Sequence, residues 1–326
     1  MELNTSTFEF GVYCFSASGT ESGMTTSGPA DDVQKITDAL NDLQGSATTF
    51  LVRCYAGYHG VDRAPRTVSK DVLVLTSPTR NLDLVLCFQS NEEDMDGWKK
   101  FISDHINLYG QHIKYLQITE EANVSLPSLD GYYPHSRRAL VEGIIHAKEV
   151  ILRNGFDVQV GFNATPDFNP NKTFWKDIKS LARPEFYYSL DYVGLDFFLG
   201  VFRPLPSRQY TDMHPIILNV IQAFKNDVAD AGIEANIPLH ITENGFATHL
   251  DDSDQLQSEM LSVIITIVVA LRSRFNIRTY ELFSLRDADS SVKDVFYQFG
   301  IMRDDYSAKP SFSTVKDLIK KFSAPR

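Results

Sequence analysis

Cysteine is scarce in this chain, with three in 326 residues: Cys14, Cys54 and Cys87. Each stands inside an apolar run, and no two share a short spacing. A disulfide framework and a thiolate zinc site are therefore excluded, and the cysteines read as small buried hydrophobes. Basic residues are outnumbered too. A net charge of -11 argues against non-specific binding to nucleic acid or to an anionic membrane surface. The most apolar run, Leu261 to Leu271, covers about half of the roughly 20 residues that cross a bilayer. It has the length of a core helix. Met1-Glu2-Leu3-Asn4 shows no basic segment leading into an apolar one, so a cytoplasmic chain is expected, with a mature secreted chain as the alternative.

Ligand and cofactor signatures are missing as well. His59, His240 and His249 fall near strand ends but lack a His-x-x-x-His spacing, so no metal site is expected. Ser16-Ala17-Ser18-Gly19-Thr20 follows the first apolar strand and matches neither the dinucleotide nor the phosphate-loop pattern. No cofactor is expected.

Core-forming residues are plentiful: 43% of the chain is hydrophobic and 12% aromatic, which removes disorder from consideration. Apolar strands alternate with helical patterns throughout. Strands are expected at 8–15, 49–55, 82–89, 113–119, 158–162, 192–198, 239–242 and 277–284. Helices are expected at 31–43, within 69–77, at 95–109 and 136–153, after Thr173, and at 215–231, 253–275 and 311–322. With near-continuous apolar strands and no Pro/Ser-rich linker, this predicts a single (β/α)8 TIM barrel over residues 1–326 rather than an open doubly wound sheet.

Two of these strands end on glutamates. Lys114-Tyr115-Leu116-Gln117-Ile118-Thr119 runs into Glu120-Glu121, and Leu239-His240-Ile241-Thr242 into Glu243-Asn244-Gly245. In a parallel barrel the carboxyl ends of the strands carry the chemistry, and a pair of carboxyls there is what cleavage of a glycosidic bond requires. A single glutamate at such a place is as readily a solvated loop residue or the first-turn charge of the next helix. The pairing carries the argument.

Ile241-Thr242-Glu243-Asn244-Gly245 resembles the strand-seven nucleophile motif of the clan A glycoside hydrolases, retaining enzymes with catalytic glutamates on strands four and seven. Leu116-Gln117-Ile118-Thr119-Glu120-Glu121-Ala122-Asn123 is similar to their strand-four acid/base motif, and Phe299-Gly300-Ile301 with Lys309-Pro310-Ser311-Phe312 to the stretch after strand eight. The resemblance implies Glu243 as nucleophile, Glu121 as acid/base, Asn123 as the trailing asparagine and Arg53 as the arginine beside the nucleophile. It also implies a carbohydrate substrate. Three positions depart from the family pattern. Glu120 replaces an asparagine, Asp196-Phe197-Phe198 lacks the strand-six tyrosine that hydrogen-bonds the nucleophile, and Phe283-Ser284-Leu285-Arg286-Asp287 lacks the strand-eight tryptophan.

The resemblance sets further expectations. Two carboxyls in such a site lie ~5–5.5 Å apart for retention and ~6.5–9.5 Å for inversion. Neighbouring side chains on a regular strand point to opposite faces, so Glu120 joins Glu121 only if the strand end is irregular, and at least one pKa then rises. The candidates for contacting the sugar are Arg53, Glu120, Asn123, Asn163, Asp196, Tyr133 and Asp287; Asp167 and Asp289 also follow strands. Tyr55, Tyr58, Tyr132, Phe197 and Phe198 are candidate stacking surfaces or, for the phenylalanines, barrel core. The rivals are a glycosidase-like barrel that binds a glycan without turnover, and an unrelated barrel enzyme. The latter calls for a strand lysine or a histidine pair that the sequence does not show.

Overall fold

The computed structural model describes residues 8–20, 23–25, 28–69, 71–167, 171–202, 213–248 and 254–323. In chain order the strands are β1 (Glu9–Tyr13), β2 (Ser18–Thr20), β3 (Gly23–Thr25), β4 (Phe50–Tyr58), β5 (Arg80–Phe88), β6 (Ile113–Ile118), β7 (Gln159–Ala164), β8 (Tyr192–Asp196), β9 (Leu239–Asn244) and β10 (Ile277–Phe283). β1 and β4 to β10 pair in parallel as a closed eight-stranded barrel, with β10 returning to β1, while β2 and β3 form a small antiparallel pair. The helices are α1 (Val33–Gln44), α2 (Met95–Tyr109), α3 (Ser136–Asn154), α4 (Thr173–Leu181), α5 (Pro184–Ser189), α6 (Met213–Asp230), α7 (Asp254–Phe275) and α8 (Pro310–Phe322). The expected (β/α)8 barrel is what forms.

Local chemistry explains the boundaries. Asp32 caps α1 by accepting from the amides of Gln34 and Lys35, both at 3.1 Å, and α3 closes on Gly155 at φ 69°, each a recognised helix terminus. The connection after β4 differs from expectation. A four-residue 3-10 turn, Val72–Leu75, stands where a helix was anticipated. The apolar run there is short, two of its residues are β-branched valines, and Pro78 disfavours helix in what precedes it.

Alternation along the strands separates two environments. Phe10, Val12, Phe50, Val52, Leu84 and Ile118 join the large core under the helices, while Leu51, Tyr115 and Tyr192 make a separate cluster within the barrel. His240 belongs to that interior: it stacks on Tyr192 at 4.2 Å between ring centroids and meets Tyr115 edge-on at 4.6 Å. Burial drives its pKa down to about 3, so it is a neutral core histidine. Higher in the barrel the interior turns polar, with Arg53, Asp83, Gln117 and Glu281 buried. Gly11 makes room for the last of these, because a Cβ there would lie 2.7 Å from Glu281 Cγ. α7 is apolar and long enough to cross a membrane by composition. In the fold it lies on the barrel with Leu261, Ile264, Ile265 and Val268 buried.

Candidate active site

Both glutamate-bearing strand ends are irregular, and the irregularity places the side chains. β6 stops at Ile118, and Thr119 (φ 67°) and Glu121 (φ 44°) then adopt left-handed backbone. Both Glu120 and Glu121 consequently face the same cavity. Their amides are held by Asp130 from the following loop and by Asn163 of β7: Asp130 Oδ2 accepts from Glu120 N at 2.9 Å and from Phe88 N at 2.7 Å, and Asn163 Oδ1 accepts from Glu121 N at 2.8 Å. On β9 the register against β8 slips by one residue, pairing Leu195 with Ile241 but Asp196 with Glu243. Such a bulge re-aims the side chains that follow. Thr242 Oγ1 donates to Asp196 Oδ1 at 2.5 Å, and Glu243 enters the cavity beside it.

Arg53, fully buried on β4, ties these elements together. Its guanidinium reaches Asp83 at 2.7 Å, Gln117 Oε1 at 2.9 Å, Glu120 Oε2 at 3.2 Å and Glu243 Oε1 at 3.5 Å. Arg53 Nε also donates to the Tyr55 hydroxyl at 2.6 Å, and that hydroxyl donates onward to Glu243 Oε1. Asn163 donates to Glu120 at 3.1 Å and to Asp196.

The carboxyl groups of Glu120, Glu121, Asp196 and Glu243 lie within 4.8 Å of one another and are all buried. Burial and mutual repulsion govern their protonation. The Glu121 pKa rises to about 8, chiefly through burial and the neighbouring Glu243 charge. Glu120 and Asp196 are pushed well above the carboxylate range by burial, then by like charge. Burial also raises Glu243, but Arg53 and the Tyr55 hydrogen bond oppose it. Deeper in the barrel, Glu281 is raised by burial and by Asp83. One guanidinium cannot balance this many carboxylates, so the cluster holds protons near neutrality, with Glu243 the member best supported as an anion. The same four oxygens would suit a hard divalent cation; histidine spacing could not have revealed an all-carboxylate donor set.

The remaining candidates divide. Asn123 bridges to Thr165, donating to its carbonyl and hydroxyl and accepting from its amide at 3.0–3.1 Å, and so fastens the loop that carries Glu121. Tyr133 donates to the Pro127 carbonyl at 3.2 Å and does not line the cavity. Asp287, expected to contact sugar, lies elsewhere: it pairs with Lys309 at 2.9 Å, accepts from Gly300 N, and is buried in the closing segment. The segment after β10 turns Asp287 towards Lys309 and Gly300 while sending Phe296 and Phe299 to the cavity wall. Tyr58 is likewise core, packed on Phe88, Trp98 and Phe101. His249 lies outside the described residues. Tyr55, a stacking candidate from its sequence position, is instead a hydrogen-bond donor to Glu243 and acceptor from Arg53. Asp130 and Gln117 were not singled out, because nothing in their local sequence announces a partner on another strand.

No protein-family model matches the sequence, and no curated protein matches it either. Solved structures do. A family 1 β-glucosidase from Thermotoga maritima is 14% identical, with a TM-score of 0.65 over 98% of each chain. A family 39 glycoside hydrolase from Bacteroides cellulosilyticus WH2 is 13% identical, with a TM-score of 0.63 over 96% of this chain and 64% of that one. A β-glucuronidase from Ruminococcus gnavus is 11% identical, with a TM-score of 0.62 over 96% of this chain. The chain spans about half the length of that enzyme, 49%. At these identities the likeness establishes the barrel fold.

Proposed function

We propose that this barrel is a clan A retaining hydrolase of a β-glycoside, with Glu243 as nucleophile and Glu121 as acid/base. One observation carries the reading. At the carboxyl ends of the fourth and seventh barrel strands, two glutamates share a cavity with one carboxyl oxygen of each within 4.8 Å of the other, and Arg53 and the Tyr55 hydroxyl act on Glu243 to make it the better supported anion of the two. Oxygens this close fit the ~5–5.5 Å between carboxyls of retaining sites more readily than the ~6.5–9.5 Å of inverting ones. The structural neighbours, glycoside hydrolases by name, point the same way.

In the first step Glu243 attacks the anomeric carbon. Arg53 and Tyr55 both engage Oε1, which leaves Oε2 for the new bond. As the glycosidic C–O bond breaks, Glu121 passes its proton to the departing oxygen, and a glycosyl ester forms on Glu243. In the second step Glu121, now a carboxylate, takes a proton from water whose oxygen attacks the same carbon. The ester bond breaks, and the sugar leaves with its original configuration.

A carbohydrate-binding barrel without turnover is the second reading. It is favoured by the crowding of Glu120 and Asp196 around Glu243, since each added carboxyl opposes ionisation of the nucleophile. A panel of aryl β-glycosides, run beside Glu243→Ala with and without azide, tests the assignment. Cleavage by the wild type, loss in the variant and azide rescue with inverted product support it. A folded wild type that binds sugar but cleaves no aryl glycoside overturns it in favour of the binding barrel.

A further inference from the structure

The carboxyl cluster occupies only part of its cavity. The volume, about 670 Å³, lies within the ~300–1,000 Å³ of sites for drug-sized ligands, and a single pyranose ring does not fill it. Much of the remaining wall is phenylalanine. Phe198 meets Phe202, Phe283 and Phe299 at centroid distances of 5.5, 6.2 and 5.4 Å, and Phe202 meets Phe296 at 5.7 Å. These rings come from the segment after β8 and the segment around and after β10. Leu126, from the loop after Glu121, also lines the cavity. Phe202 is 50% exposed.

The lining is as informative for what it omits. Among the described residues it contains no Asn, Gln, His, Lys or Trp, and beyond the carboxyl cluster and Tyr55 its side-chain hydrogen-bonding groups are those of Tyr13, Ser18, Arg66, Ser128 and Thr165; both tryptophans of the chain are buried in the core under the helices. A second sugar laid along the phenylalanine wall would surrender hydroxyl–water hydrogen bonds with no side-chain donor or acceptor on those rings to replace them. Each polar group buried without a partner costs about 1–3 kcal/mol. A hydrocarbon group would instead release ordered water from both surfaces.

We propose that the ligand of this site is a glycoside with an apolar aglycone, its sugar over the carboxyl cluster and its hydrocarbon portion against the phenylalanine wall. The bond cleaved rests on the glycosidase reading above; the binding preference does not. The test uses alkyl β-thioglucosides and β-thiogalactosides, which resist hydrolysis, from methyl to octyl and below their micelle concentrations. Binding to the full chain is followed by calorimetry.

Affinity is expected to rise about two- to four-fold per added methylene until the cavity is filled, and Phe202→Ala is expected to lower the octyl-to-methyl affinity ratio several-fold. A flat series, absence of binding at every length, or tighter binding of a disaccharide than of the octyl compound overturns the inference. The matching O-glycosides separate the two claims. A length-dependent thioglycoside series with uncut O-glycosides refutes hydrolysis and keeps the apolar ligand; cleavage indifferent to chain length does the reverse.

Discussion

The Tyr55 hydroxyl donates to Glu243 Oε1, and the same hydroxyl accepts from Arg53 Nε. The hydrogen bond to Glu243 thus comes from the second barrel strand, while Phe197 and Phe198 follow the end of the sixth. A phenol that relays a guanidinium to Glu243, the proposed nucleophile, stabilises its anionic form without a second full charge. Tyr55→Phe preserves the ring, which packs edge-on against Tyr13 at 5.3 Å, but removes the donor. Hydrogen bonds to charged groups contribute about 1.5–3 kcal/mol, so kcat/KM is expected to fall roughly 10- to 100-fold. The acidic limb of its pH profile is expected to move up, because Glu243 holds its proton longer. An unmoved limb would remove Tyr55 from this role.

As the proposed acid/base, Glu121 is expected to set the other limb. With its pKa pushed up to about 8, the acid form persists through neutrality, and kcat/KM on substrates needing protonation is expected to decline above about pH 8. Glu121→Gln should abolish cleavage of alkyl glycosides while sparing activated aryl ones to a greater extent.

The same shift acts on stability. Glu121 is raised above the ordinary carboxylate value, so the folded state favours its neutral form. That contribution is fully present below about pH 4.3, the unfolded value, and is lost as pH rises towards about 8. The Tm difference between Glu121→Gln and wild type is therefore expected to grow in favour of the variant from pH 5 to pH 9. A constant difference counts against the shift.

Asp130 holds the strand end that carries Glu121. Its Oδ2 accepts from Glu120 N and Phe88 N, so Asp130→Ala strands two buried amides and is expected to cost about 2–4 kcal/mol by urea unfolding. Asp130→Asn retains a carbonyl acceptor and should cost less. Both should lower kcat more than they raise KM if the two amides position Glu121.

Asp287 gives the contrasting case. Its buried pair with Lys309 makes Asp287→Ala expensive, about 3–5 kcal/mol, while the pH profile of the folded fraction should coincide with wild type. A shifted profile would return Asp287 to the site.

Much of this could be read from one chain. Apolar runs and helical spacing marked the barrel strands to within a few residues, because burial on both faces of a parallel sheet leaves an unbroken apolar signature. Glu121 and Glu243 were legible because each stands in a local motif at a strand end. The connection after β4 was misread, as four apolar residues are too few to distinguish a 3-10 turn from a short helix.

Tertiary structure alone decided the rest. The entry of Glu120 depends on left-handed backbone at Thr119 and Glu121, which neither residue type announces and which neighbouring Asp130 and Asn163 hold in place. Tyr55 meets Glu243 across 188 residues, and the phenylalanine wall joins segments near 200 and near 299. Residue type and local period determined the strands, the helices and the two glutamates. Which groups share a proton, and which rings face the ligand, were settled by barrel closure, because those energies depend on distances that arise only when remote strands become neighbours.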